Sequence, residues 1–211
     1  WPDANEAATW AIRCILKQLP ARRMAEMDPE EFFDFSQVRP LIKHDSQGAR
    51  YLQWPSNQLF YHSSTTASKS FMVFLGTEPS LKWRTYCDSI LDLAVRSGVH
   101  TVIHLGALLD AVPHSRPLRI SGNAHGVKHK RLLKKLGIRS SNYQGPSGIS
   151  SAMMESCKTR GLDFVTLWGH TSHYLQTSPN YQVAHGIVTA ACQLLRLKLD
   201  LQELKAASSS F

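Results

Sequence analysis

Between positions 100 and 117 the chain runs HTVIHLGALLDAVPHSRP. Thr101 to Leu109 has the length and composition of a strand buried on both faces. Asp110 closes it, and Pro113, His114, Ser115, Arg116 and Pro117 follow within a few positions. Open α/β sheets keep ligands in the crevice beyond the carboxyl ends of their strands, so an acid, a base, a hydroxyl and a cation there mark a candidate site. Two prolines so close together stiffen the exit from the strand. A loop shaped in this way serves binding as readily as catalysis.

Outward from this stretch, FMVFLG (71–76) is a second continuous apolar run and FVTLW (164–168) a third. Helical patterns lie between and after them. Ser80 is placed to cap a helix through about Arg96, with Trp83, Ile90, Leu91 and Ala94 inward and Gly98 as its stop. Residues 124–136 and 148–160 predict two more helices. A long last helix from about Asn180 carries Val183, Ile187, Ala190, Ala191, Leu194 and Leu197 on one stripe. LRISGNA (118–124) predicts a short strand, and NYQGPSGI (142–149) a strand running into a turn. Strands alternating with helices predict an α/β domain with a largely parallel central sheet, right-handed crossovers and helices on both faces.

The first part of the chain has another rhythm. Asp3 and Glu6 resemble an N-cap pairing. Ala8, Ala11, Ile12, Ile15, Leu16 and Leu19 then form an amphipathic helix ended by Pro20. A strand is expected ahead of this helix. DPEEFFDF (28–35) reads as a turn or short helix. LIKHD, ARYLQW and NQLFYHS, with a turn at Ser46-Gln47-Gly48, predict two or three antiparallel strands, a β-rich excursion at 39–62. Ser63 to Ser70 is expected to be a loop. The domain should span 1–204, leaving 205–211 (KAASSSF) as a free tail whose removal spares folding and partner binding.

Composition narrows the function classes. Apolar residues are 43% of the 211 and charged residues 19%, which excludes a disordered chain. No apolar run reaches the ~18 residues of a membrane span. Four cysteines, at 14, 87, 157 and 192, include no CxxC. That argues against a zinc knuckle or disulfide framework and fits a reduced cytoplasmic compartment. The net charge of +8 raises nucleic acid as a partner, and its densest patch is Lys128, Lys130, Arg131, Lys134 and Lys135. No recognition motif or stacking aromatic accompanies the patch, so it reads first as a solvated helix face.

Several residues could carry chemistry, each with a plainer alternative. Asp110 could orient His114 while Arg116 holds an anion, or could accept backbone N–H bonds in a tight loop. Ser147 in GPSGI departs from the GxSxG nucleophile pattern and is better placed to cap the helix that follows, although that turn could also hold an anion. His125 and His129 have the spacing of two ligands on a helix face, but lysines crowd them. His170 and His173 fall in GHTSHY after a strand; for both pairs a structural role outweighs a metal. Glu78, Trp83 and Arg84 follow the strand end at LGTEP, on the sheet edge that Asp110 and His173 would share if the strands are parallel. Neither GxGxxG nor GxxxxGK[ST] occurs, which excludes those two nucleotide-binding devices.

LGTEPSLKWRTYCDSILDLA, LGALLDAVPHSRPLRISGNA, YQGPSGI and LWGHTSHYLQTSPN, together with DPEEFFDFSQVRP and WPSNQLFY, resemble the ordered motifs of the proteasome assembly chaperone family. The match is to its second-partner chaperone type, in the branch of uncharacterised bacterial and archaeal proteins, over nearly all of residues 1 to 200. The resemblance implies a nucleoside-phosphorylase-like three-layer fold, with a mixed, mostly parallel sheet between helices, and a homo-oligomer, a trimer among bacterial members. It implies a non-enzymatic assembly protein without cofactor, whose partners would be itself and proteasome subunits or another protein. Two departures stand out: Pro2 and Asn5 replace the family's Asn and Gly, and Ser210 stands where archaeal docking tails carry Tyr.

The resulting expectation is a cytoplasmic, chaperone-like interaction protein with a pocket built from Glu78, Trp83, Arg84, Asp110, His114, Arg116, Tyr143, Ser147, His170 and His173. The rival reading is a hydrolase or transferase, phosphorylase-like or of the kind once labelled ATP-grasp, working in that pocket. A weaker rival is non-specific nucleic-acid binding through Lys128 to Lys135.

Overall fold

The computed structural model describes residues 2–63, 70–175 and 178–209. Most of the loop expected at 63–70 lies outside the described residues, as do Trp1, Ser210 and Phe211. In chain order the elements are α1 (Ala7–Gln18), β1 (Arg22–Met27), β2 (Leu41–His44), β3 (Arg50–Gln53), β4 (Asn57–His62), β5 (Phe71–Gly76), α2 (Trp83–Arg96) and β6 (Thr101–Asp110). They continue with β7 (Ile120–Ser121), α3 (Val127–Lys135), α4 (Ile149–Thr159), β8 (Asp163–Ser172), α5 (Tyr181–Leu195) and α6 (Gln202–Ser209). Short 3-10 turns occupy Ala4–Glu6 and Pro29–Glu31.

β6 and β8 pair in parallel along their whole length, and the two-residue β7 adds to the far edge of β8 antiparallel. Helices cover both faces of this sheet. On one side Tyr86, Cys87 and Leu91 of α2 and Met153 and Cys157 of α4 close over Phe164. On the other, Ala7, Ala11 and Ile15 of α1 meet Val183, Ala184 and Ile187 of α5, while Leu133 of α3 packs with Val165 and Leu167. Complete burial of a side chain of this size stabilises the fold by about 1.5–3 kcal/mol, so these three clusters hold the layers together.

The fold is mixed α/β, but the largely parallel sheet is not found. β1, β4 and β5 form a separate antiparallel sheet in the order β1-β4-β5, and β2 and β3 form an isolated antiparallel hairpin. FMVFLG owes its apolar run to burial, and burial does not fix the direction of a strand's neighbour. An apolar cavity of about 950 Å³ lies between the sheets, lined by Phe71, Val73, Ile12, Leu91 and Val102 among others. At its β6 side the Ala107 N–H donates to the Pro2 carbonyl, and Asp3 bridges to Ala107 in parallel.

Other boundaries also moved. β1 was not expected: its residues Arg22, Arg23 and Met24 are exposed, so no apolar alternation marks it. α2 begins at Trp83 behind a left-handed Lys82 instead of at a Ser80 cap. Residues 142–148 form no strand. Asp3 does serve the first helix, accepting from Ala8 and Thr9 N–H, while Glu6 accepts from Ser178 Oγ and not within a capping box. Leu197 lies past the end of α5, which stops at a left-handed Arg196. Residues 205–209, expected to be free, continue as α6, whose Leu204 is buried against α1 and α5.

All four cysteines are free thiols. Burial pushes Cys87 up to about 11 and Cys157 to about 12, so almost no thiolate forms at neutral pH and nucleophilic attack is suppressed. Alkylation of the native protein should spare both and label them only after unfolding, as read by mass spectrometry of the peptides. Rapid native labelling of either would contradict the packing of α2 on α4.

Candidate functional site

Side chains alternate across a strand, and paired residues of neighbouring strands share a face. Asp110 pairs with Ser172, and Ser121 pairs with Trp168. His170, two residues from each of these β8 positions, therefore lies on the same face as Asp110 and Ser121. The three side chains meet there. His170 Nδ1 is 2.8 Å from Asp110 Oδ2, and His170 Nε2 is 2.7 Å from Ser121 Oγ. An ionised carboxylate only accepts, so Nδ1 carries the proton; in the neutral ring Nε2 then accepts from the Ser121 hydroxyl. Arg119 Nη1 donates to the same Asp110 oxygen at 3.2 Å, and Ala111 N–H donates to the other at 2.7 Å. The hydrogen bond from His170 leads in holding the Asp110 carboxyl below its ordinary value; desolvation opposes it, and Ala111 N–H, the His170 charge and Arg119 assist.

Serine, histidine and aspartate in this order form the nucleophile, base and orienting group of acyl-transfer enzymes. Such enzymes also need free N–H donors aimed at the developing oxyanion. Around Ser121 those donors are committed: Gly122 N–H to Arg139 O, Asn123 N–H to Thr166 Oγ1 and His170 N–H to Arg119 O. Ser121 is only 5% exposed and His170 7%. In this arrangement the relay ties β6, β8 and β7 together.

The residues expected to line one pocket fall into separate groups. Asp110 meets His170, which sits inside β8 and not in the loop after it. His173 is close by, donating its N–H to the Asp110 carbonyl at 3.1 Å. His114 bonds Tyr174 rather than Asp110: its N–H donates to the Tyr174 hydroxyl, and its Nδ1 is also 3.0 Å from that oxygen. Arg116 is exposed, with its N–H closing a turn on Pro113.

Glu78 lies at the N-terminus of α4 and accepts from Ile149 N–H at 2.7 Å. The anion position foreseen at this turn is thus filled by the chain's own carboxylate, where the helix dipole favours it. Gly148 permits the approach, since a Cβ there would come within 2.9 Å of Glu78 Oε1. Gly148 is also the N-cap; Ser147 instead bonds the Ser151 hydroxyl. Trp83 donates to Pro79 O and packs beside the α2–α4 cluster, Arg84 is exposed, and exposed Tyr143 donates to Pro146 O.

His125 and His129 do not converge as ligands: His129 pairs with Asp163, and His125 N–H donates to Phe164 O. Among the described residues no cluster of metal-ligating side chains occurs. Lys128, Lys130, Arg131, Lys134 and Lys135 all face solvent on α3. Ser121, Arg119 and Tyr174 were not foreseen; the pairing of β7 with β8 brings Ser121 to His170, and Arg119, just ahead of β7, reaches Asp110.

The PAC2 family model matches residues 1–211. A PAC2 family protein from Streptomyces avermitilis is 29% identical with a TM-score of 0.89, over 100% of this chain and 88% of its own. A proteasome-assembly chaperone homologue from Mycobacterium tuberculosis is 30% identical with a TM-score of 0.88 and the same coverage. PbaB, an archaeal proteasome activator from Pyrococcus furiosus, shares the fold at 15% identity with a TM-score of 0.79, over 99% of this chain and 86% of its own. No curated protein matches. Among the described residues no helix is long and apolar enough to cross a membrane.

His170→Ala leaves the buried Ser121 hydroxyl without its partner, while Asp110 keeps Arg119 and Ala111 N–H, and one buried unsatisfied group costs roughly 1–3 kcal/mol. Denaturant unfolding should register a loss of that order. Because the folded Asp110 carboxyl is lowered, its contribution is complete above the unfolded value of about 3.9 and lost as pH falls through the folded one. Asp110→Asn should therefore destabilise at neutral pH, with the gap from wild type closing in acid. A gap that widened in acid would refute the assignment.

Proposed function

Since the chain belongs to the PAC2 family, we propose that it is a proteasome-assembly-chaperone-like protein, acting by binding other proteins rather than by catalysis. The observation that carries the non-catalytic half is the closed state of the Ser121–His170–Asp110 relay. Its serine is buried and the N–H groups that could receive an oxyanion already have acceptors. The Mycobacterium tuberculosis relative, described as a proteasome-assembly chaperone homologue, supports the choice of partner class. Proteasome subunits are the first partners to test. A homo-oligomer, a trimer by family resemblance, and a cytoplasmic location belong to the same reading. So does the nucleoside-phosphorylase-like layering, which the helix-covered β6–β8 pair supports.

The relay itself favours one rival, a serine hydrolase in which a movement uncovers Ser121. Nucleic-acid binding has only exposed cations behind it, and any such affinity should fall steeply with salt.

Mixing the protein with purified proteasome core subunits should change the yield or rate of ring assembly on native gels. In parallel, a fluorophosphonate probe should leave Ser121 unmodified. Failure to affect assembly would remove the chaperone reading. Labelling that Ser121→Ala abolishes would replace it with the hydrolase.

A further inference from the structure

We propose that the β2–β3 hairpin is a self-association arm that seats on the acidic segment Asp28–Asp34 of a second copy of this chain. The inference rests on the homo-oligomer reading and names the surface that makes it. All eight strand residues of the hairpin are exposed, and its two strands pair only with each other. A two-stranded hairpin on its own is marginal in water. This one also presents large apolar side chains to solvent: Leu41 at 55%, Ile42 at 51%, Tyr51 at 49% and Leu52 at 52%. The register sets Ile42 opposite Leu52 on one face, while Leu41 and Tyr51 lie on the other. Contact with its own body comes at the root, where Trp54 meets Phe35 edge-on at 4.9 Å. Apolar groups on both faces of an arm are a different matter from scattered surface leucines, and they mark a contact surface.

Charge selects the occupant. Arg39, Lys43 and Arg50 are exposed and have no carboxylate partner among the described residues. Asp45, the acid of the hairpin turn, accepts from Gln47 and Ala49 N–H. The segment Asp28–Asp34 carries Asp28, Glu30, Glu31 and Asp34 with no cation within it, and among the described residues only Glu31 has a cationic partner, Lys82, while Asp28 and Asp34 accept from neutral neighbours. The Phe35–Trp54 contact puts this acidic segment beside the root of the basic arm. A surface that holds an apolar basic arm next to an acidic segment is its own complement. The arm of each copy can lie on the segment of the next, closing as a two-fold pair or as a ring.

The test is light scattering after size-exclusion chromatography at high micromolar concentration, with circular dichroism to confirm folding. Wild type should run as an oligomer. Lys43→Glu with Arg50→Glu should reduce the mass to that of one chain. Adding Glu30→Lys and Glu31→Lys to that variant should restore assembly, which general damage would not do. Ile42→Asp with Leu52→Asp should also give single chains; if that pair fails to fold, the exposed charge variants still decide. A wild-type oligomer indifferent to charge reversal would overturn the arm and leave the homo-oligomer reading standing. A wild-type monomer would overturn both.

Discussion

Ten consecutive pairings between β6 and β8, from Thr101 with Asp163 to Asp110 with Ser172, set Asp110 beside His170, the contact on which the candidate site is built. A slip of one residue would turn a strand's side chains to the opposite face and part Asp110 from His170. Gly106 helps to hold the register. It pairs with Trp168, and a Cβ at position 106 would run into the indole ring and His104. Another residue brought opposite Trp168 would carry that Cβ. The opposite face adds a second check, because Val165 and Leu167 are fully buried there, and a slip would put Thr166 and a bulky aromatic, Phe164 or Trp168, in their places.

On that frame the polar relay solves a local problem. β7 has only two residues, too few for a ladder to hold it with much authority. Ser121 couples it through His170 to Asp110, two strands away, and Arg119 returns from the same segment to the same carboxylate. Buried polar chains of this kind cost little when every member is satisfied and a great deal when one is not. The same geometry that would polarise a serine for attack is therefore sufficient as a strut. The competing readings differ in access to Ser121 and in whether any N–H donor is free beside it, not in the three side chains themselves.

Much of the fold was legible because burial leaves a pattern within each element. The cores of α1, α2, α4 and α5 and the runs of β5, β6 and β8 follow directly from apolar spacing. β1 was invisible for the converse reason, since an edge strand reading Arg-Arg-Met-Ala-Glu-Met buries little. The parallel sheet failed because an apolar run reports that a strand is covered without reporting which way its partner runs. Asp110 stood out as the acid at a strand end. Its partners did not: His170 lies 60 residues along the chain from Asp110, Ser121 lies between them and 49 before His170, and only strand register joins the three. Nearby His114 and Arg116 looked better in sequence and turned elsewhere in space.

The C-terminal segment shows the same limit from the energetic side. A missing apolar stripe suggested a free end, yet one well-placed anchor is enough to dock a short helix. Leu204 supplies it by entering the α1–α5 cluster. Gln18 adds a two-way clasp, its amide donating to the Asp200 carbonyl and accepting from the Asp200 N–H. The Lys17–Glu203 ion pair looks more conspicuous, but both side chains are largely exposed, and such pairs typically contribute no more than about 1 kcal/mol. Periodicity detects a face that repeats. It has no purchase on a segment held by one leucine that enters the α1–α5 cluster and by one glutamine 182 positions from its partner Asp200.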